Sequence, residues 1–394
     1  MKPRQAKFQW IILAFVVNMG MNIQAQSFSE KVPIIEKEYQ LHGYVGGLSD
    51  GDKVYMEIFG PEDEWKLMDS GVVKNNEFVV KGTIREGPRW CSLTIGHGFF
   101  AKGIRLLING GDQITLRIDD ISKVKAQYID QSELVRIEGS PSNKQKDKLW
   151  PIWNSSYQYI NQMNNYLNSL PNLIGFDSSL VDGIIKSKAL FIETLYREVF
   201  TDPDCKDAIP FLVSLLSPSM QHSAIIMKTY NDLDKDQKNS FYGNRIGEKA
   251  KLSIGQPFPE YVLQTSSGGE ISLKYIFSKS KLTLIHFWST HSTQRHIYEG
   301  ELMHLYKKYQ KDSFNIIGIS ADTSAKVFNN YIQDYKLPWL NVSDFKGEKG
   351  VVDKQYQVNP SETANVLVNA EGKIVAWEIR GSELQWYLCE AFGK

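Results

Sequence analysis

The sequence predicts a multidomain chain: an N-terminal antiparallel β-sandwich-like domain, a helical middle region and a C-terminal α/β domain. Three observations carry that reading. From Glu36 to Gly139, apolar residues alternate with a period of two between turn residues. From Ser142 to Lys251, glycine becomes scarce and large apolar residues recur at helical spacing. From Ile254 to Lys394, buried-strand runs alternate with amphipathic helices. The expected boundaries are residues 1–25 for an export leader, 26–141 for the β-rich domain, 142–252 for the helical region and 253–394 for the α/β domain. A chain of 394 residues is long enough for several separate cores.

The leader is read from Lys2, Arg4 and Lys7, the apolar run Phe8 to Val17, and the small residues ending at Ala25. The run is shorter than the roughly 20 residues of a membrane span. Cleavage near Ala25 makes the protein exported and periplasmic; an uncleaved leader would make it a single anchor, and this is the one route to a membrane. Without the leader, the chain carries 42 basic and 45 acidic residues, a net charge of −3. That balance leaves no basic excess for nucleic acid, and no nucleic-acid partner is expected.

In the first block, Lys53–Phe59, Phe78–Ile84 and Gln113–Asp119 alternate cleanly, and Asp50-Gly51, Asn75-Asn76 and Asn109-Gly110-Gly111 mark turns. Such a domain binds carbohydrate or peptide, or serves as a structural or interaction module. In the second block, Tyr157, Ile160, Met163, Tyr166 and Leu167 share a helical face, as do Ile184, Ile185, Leu190, Ile192 and Leu195 less strictly. Pro151, Pro171 and Pro203 are expected to divide the block into several helices. In the third, strands are expected at Leu282–Trp288 and Phe314–Ser320, helices at about Thr293–Tyr309 and Asp322–Tyr335, a hairpin at Asn365–Val368 and Ile374–Trp377, and a last helix over Ser382–Phe392.

Residues 254–394 carry a set of local patterns: Ile254-Gly255-Gln256-Pro257-Phe258-Pro259, Gly268-Gly269-Glu270-Ile271-Ser272-Leu273, Phe287-Trp288-Ser289, Gly318-Ile319-Ser320-Ala321-Asp322 and Gly372-Lys373-Ile374-Val375. In this order they resemble the exported TlpA/ResA-like branch of the thioredoxin-like proteins, related to AhpC/TSA. The resemblance implies a thioredoxin fold and thiol–disulfide chemistry in cell redox homeostasis. A β-domain and helical stretch ahead of such a module is also similar to exported proteins of Gram-negative bacteria in which the first domain has no assigned role.

The resemblance places the redox pair Cys-X-X-Cys at Ser292 and Arg295, with Thr293 and Gln294 between. It places the cis-proline at Thr363, or at Pro360 with a one-residue gap, and the acidic residue before Phe-Trp at His286. Exchange needs a thiolate, whose pKa a helix N-terminus lowers, and a second thiol to resolve the mixed disulfide. A serine hydroxyl at 292 has no redox couple, and Arg295 resolves nothing. The three cysteines, Cys91, Cys205 and Cys389, form no close pair, which also excludes a disulfide scaffold and a zinc ribbon.

Trp288, His286, His291 and His296 remain as candidate ligand-binding residues around this degenerate site. One reading is a repurposed polar pocket, with Ser292 capping the helix and Arg295 holding an anion; the other is a decayed site. Ser292 beside His291 lacks a Gly-X-Ser-X-Gly elbow, which argues against a serine hydrolase. The spacings of His291, His296 and His304 do not match a helical metal pair. With no P-loop or dinucleotide fingerprint, no cofactor is expected. The sequence thus predicts a non-catalytic binding or accessory protein that docks an extended peptide or protein segment. The alternative is a thiol–disulfide oxidoreductase or peroxiredoxin-like enzyme that borrows a cysteine from elsewhere.

Overall fold

The computed structural model describes residues 36–60, 64–95, 102–124, 134–173, 176–216, 223–261, 263–265, 267–292, 295–359 and 363–393. The expected leader, residues 1–25, lies outside them, as do Thr293, Gln294 and Pro360.

Among the described residues, eight strands build the N-terminal part: β1 (Lys37–Val45), β2 (Lys53–Phe59), β3 (Trp65–Val72), β4 (Glu77–Ile84), β5 (Arg89–Ile95), β6 (Lys102–Ile108), β7 (Gln113–Ile118) and β8 (Val135–Glu138). They form two four-stranded sheets, ordered β4-β1-β7-β8 and β3-β2-β5-β6. The period-two pattern sends Leu41, Val80 and Leu116 from one sheet, and Val54, Met56 and Leu93 from the other, into one core. The expectation of a purely antiparallel sandwich needs correction, because β1 and β7 pair in parallel, with Leu41 opposite Ile114. The chain visits the whole second sheet between these strands. That long crossover lets β7 return in the direction of β1, which short hairpin turns would forbid.

The middle region consists of α1 (Pro141–Leu173), α2 (Ser178–Leu195), which runs on into a π-turn at Tyr196–Phe200, α3 (Ile209–Ser214), α4 (Ala224–Asp232), α5 (Lys235–Asn239) and α6 (Phe241–Ala250). Neither Pro151 nor Pro171 divides a helix as expected: α1 runs through both. An interior proline costs about 3 kcal/mol. Burial of Leu149 and Trp153 in the helical core opposes that cost, and along the same helix Trp150, Trp153 and Tyr157 stack in series, with ring centroids 5.1 and 4.8 Å apart. The buried stripe of α1 is also narrower than expected. Leu149, Trp153, Ile160 and Leu167 are inside, whereas Tyr166 is 44% exposed. On α2, Val181, Ile185 and Leu195 are buried and Leu190 faces solvent. The β-sandwich and the helices share a core, where Trp90 packs on Phe211 and the Leu107 N–H donates to Asn143 Oδ1 at 3.1 Å.

The C-terminal part contains β9 (Leu263–Thr265), β10 (Glu270–Ile271), α7 (Leu273–Phe277), β11 (Leu282–Trp288), α8 (Arg295–Tyr309), β12 (Phe314–Ser320), α9 (Ala325–Tyr335), β13 (Leu340–Ser343), α10 (Val351–Lys354), β14 (Ala364–Asn369), β15 (Ile374–Trp377) and α11 (Gly381–Phe392). Its sheet is ordered β10-β9-β13-β12-β11-β14-β15. The central strands β11, β12 and β13 are parallel, and β14 and β15 are antiparallel additions. Both faces of β11 are covered, so it reads as a continuous apolar run. Ile285 and Phe287 join a core with Leu263, Leu273 and Phe277. Leu284 and Trp288 join another with Leu302 and Leu305 of α8, Phe328 of α9 and Leu384 of α11. Helix α9 starts later than expected, because Ser324, not Asp322, caps it by accepting from the Val327 N–H.

Helix α11 also docks this part onto the middle region. Trp386 packs with Leu167, Val181 and Ile185, and the Lys188 ammonium meets Glu383 Oε1 at 2.6 Å. Among the described residues, no helix is long and apolar enough to cross a membrane.

Candidate functional site

The site forms where β11 ends and α8 begins. His286 lies between Leu284 and Trp288 on the face of β11 that packs beneath α8, α9 and α11. It is 1% exposed, and its Nδ1 lies 2.8 Å from Asn365 Oδ1 on the neighbouring strand β14. The tautomer follows from the partner. Asn365 Nδ2 donates to the Ile379 carbonyl at 3.0 Å, which turns Oδ1 toward His286 as an acceptor. Nδ1 therefore carries the proton and Nε2 presents a lone pair. Nε2 is buried and meets no partner among the described residues. Burial pushes the imidazole pKa down to about 4, and the Asn365 hydrogen bond offsets only part of that. At neutral pH this is an uncharged base sealed under the helix.

The turn above it is tied to β12 through Asp322. This carboxylate accepts from the Thr290 N–H at 3.0 Å, from Thr290 Oγ1 at 2.6 Å and from Ser320 Oγ at 2.8 Å. Ser343 Oγ on β13 donates to the Ser320 carbonyl at 2.8 Å. Within the turn, Ser289 Oγ accepts from the His291 N–H and the Ser289 carbonyl accepts from the Ser292 N–H. Ser292 is buried and His291 exposed. Helix α8 begins at Arg295. The side chains of Arg295 and His296 lie outside the described residues, as do Thr293 and Gln294. Thr363 sits at the start of β14, buried, with Oγ1 meeting no partner among the described residues.

Two candidate ligand contacts need correction. The Trp288 indole is 1% exposed and packed between Phe328 and Tyr331, with centroids at 5.7 and 5.2 Å. It is a core side chain because the strand's period of two turns it under α8. His286 is sealed for the same reason. Sequence reading missed Asp322 as the tether of the turn and Asn365 as the partner of His286. The available signal was position: each is a polar residue at the end of a strand run, Asp322 just after Phe314–Ser320 and Asn365 just before Val366-Leu367-Val368.

None of the three thiols belongs to this turn. Cys91 is in the β-sandwich core, where burial pushes its pKa up to about 12. Cys205 is buried in the helical core, and burial raises its thiol also. Cys389 lies on α11 with Sγ 3.4 Å from the Tyr309 hydroxyl. A thiol held protonated in a core is a poor nucleophile. Among the described residues, no three His, Cys, Asp or Glu side chains gather as a metal would require.

Residues 254–377 match the AhpC/TSA family. The C-terminal module belongs to that thioredoxin-like family. Its sheet and flanking helices are accordingly a thioredoxin fold, as the sequence resemblance implied. Residues 39–145 match DUF4369, a domain of unknown function. The thioredoxin-like module is 29% identical over 136 residues to thiol-disulfide oxidoreductase ResA of Bacillus cereus, a match covering 34% of this chain and 75% of the relative. The ResA of Bacillus anthracis matches to the same extent. Among solved structures, a thiol-disulfide oxidoreductase from Bacteroides fragilis is 29% identical, covering 34% of this chain and 98% of that one with a TM-score of 0.32.

Proposed function

We propose that the protein is an exported member of the thioredoxin-like family that has given up redox turnover and works as a binding or accessory protein, docking an extended peptide or protein segment. One observation carries this reading. The position at the start of α8 that needs a thiolate holds Ser292, and all three cysteines lie away from that turn. A hydroxyl cannot cycle between dithiol and disulfide, and the helix dipole cannot ionise it at neutral pH. The basic residues and apolar run before Ala25 support export, which predicts a mature N-terminus at Gln26.

The activity named for the ResA relatives favours a second reading, a thiol–disulfide oxidoreductase working with a cysteine not recognised as part of this turn. Insulin reduction by dithiothreitol separates the two. The wild-type chain is expected to add nothing to the reductant's own rate. Turnover above that rate, abolished by replacing one of the three cysteines, would overturn the binding role. In the double variant Ser292→Cys with Arg295→Cys, a disulfide is expected to form and insulin reduction to appear. Two free thiols after mild oxidation would show that these positions are not the redox pair.

A further inference from the structure

The outer face of the sheet β4-β1-β7-β8 carries a feature that packing alone does not account for. Strand register sets Glu77, Tyr44, Arg117 and Arg136 in one row across the four strands. Arg117 and Arg136 are thus directly opposite on an antiparallel pair, an arrangement of like charges that destabilises a sheet. Over the end of this row opens a cavity of about 230 Å³, lined also by Asn75, Asn76 and Asp119.

The charges in the cavity are not equally engaged. Glu77 Oε2 lies 3.1 Å from His42 Nε2, and Asp119 Oδ1 meets Arg136 at 2.5 Å. The Arg117 guanidinium carbon lies over the Tyr44 ring, 4.2 Å from its centroid. No carboxylate among the described residues pairs with it. The ring contact restrains the guanidinium without consuming its N–H donors as an ion pair would. The walls are fixed as well. Gly46 passes so close to β7 that a Cβ there would stand 2.1 Å from the Asp119 carbonyl oxygen. The turn at Asn75 and Asn76, with φ of 53° and 62°, is pinned by the Asn75 N–H donating to Asp50 Oδ1 at 2.7 Å.

We propose that this cavity is an oxyanion-binding site that takes the carboxylate or phosphoryl group of a small polar ligand on Arg117 and Arg136. A planar or tetrahedral oxyanion accepts two parallel N–H bonds from the Arg117 fork. It also offsets the charge of Arg117, whereas Arg136 is already paired with Asp119 and serves as a second contact. The site is independent of the thioredoxin-like turn.

Isothermal titration of the full chain at low ionic strength tests it, with galacturonate, inorganic phosphate and neutral galactose as probes. One or both anions are expected to bind at one site per chain, and galactose to give no signal. Galacturonate alone would identify a carboxylate ligand, and phosphate alone a phosphoryl one. Arg117→Met is expected to weaken binding about tenfold or more, and Arg117→Lys to weaken it less, since charge survives without the fork. Arg105→Met, on the other sheet where Arg105 stacks over Trp65, is expected to leave binding unchanged. The proposal fails if neither anion binds, if galactose binds as well as they do, or if both Arg117 variants bind like the wild type.

Discussion

Along β11 all seven residues from Leu282 to Trp288 are buried, whereas in the turn that follows Thr290 and His291 reach solvent between buried Ser289 and Ser292. The strand is held by apolar packing on both faces; the turn is held by hydrogen bonds to one carboxylate, Asp322. The strand keeps what a thioredoxin-like module needs in order to fold. The turn carries no thiol of its own. Strand and turn are therefore held by different forces only a few positions apart, and each can be perturbed largely without the other.

The largest effect is expected from breaking the strand's packing. Trp288→Ala removes an indole stacked between Phe328 and Tyr331 and should cost about 3–5 kcal/mol in urea denaturation. If the loss is below about 1 kcal/mol, the strand is not the rigid partner in this comparison.

His286 sharpens the comparison, since it is the one ionisable group built into the strand. Its folded pKa of about 4 lies below the ordinary 6.5. Above pH 6.5 neither the folded nor the unfolded chain protonates it, and its stabilising effect is fully present. As pH falls from 6.5 toward 4, the unfolded chain takes up the proton first and stability is lost. The slope is about 1.4 kcal/mol per pH unit, so the window is worth about 3 kcal/mol. His286→Gln should be less stable at pH 7 but lose less on acidification to pH 4. Equal pH slopes for variant and wild type would place the acid sensitivity in other groups.

Sequence pattern made the strand legible and the turn's partners invisible. Leu282–Trp288 and Phe314–Ser320 are continuous apolar runs, and the β14–β15 hairpin announces itself through Gly372. Four-residue β13 gives too short a pattern to recognise. The parallel pairing of β1 with β7 depends on a crossover through another sheet, which no local pattern encodes. Helix α1 continues past Pro151, where burial of Leu149 and Trp153 in the core shared with the other helices outweighs a local propensity. At the site, the buried place of Ser292 ahead of α8 follows from the turn between β11 and that helix. The Asn365 partner of His286 stands 79 residues away, and only the register of β11 with β14 brings it there.

The smallest effect is expected where the two regions are joined. Thr290→Val deletes the hydroxyl hydrogen bond to Asp322 and keeps the shape of the side chain. Asp322 retains the Thr290 N–H and Ser320 Oγ, so no buried charge is stranded and the cost should be about 1.5 kcal/mol, the low end for a bond to a charged group. Most of that loss should appear locally, as faster amide hydrogen exchange at Thr290 and His291 with little change along β11. Faster exchange throughout β11 would mean that turn and strand open as one unit, and the separation between strand packing and turn hydrogen bonds would not hold.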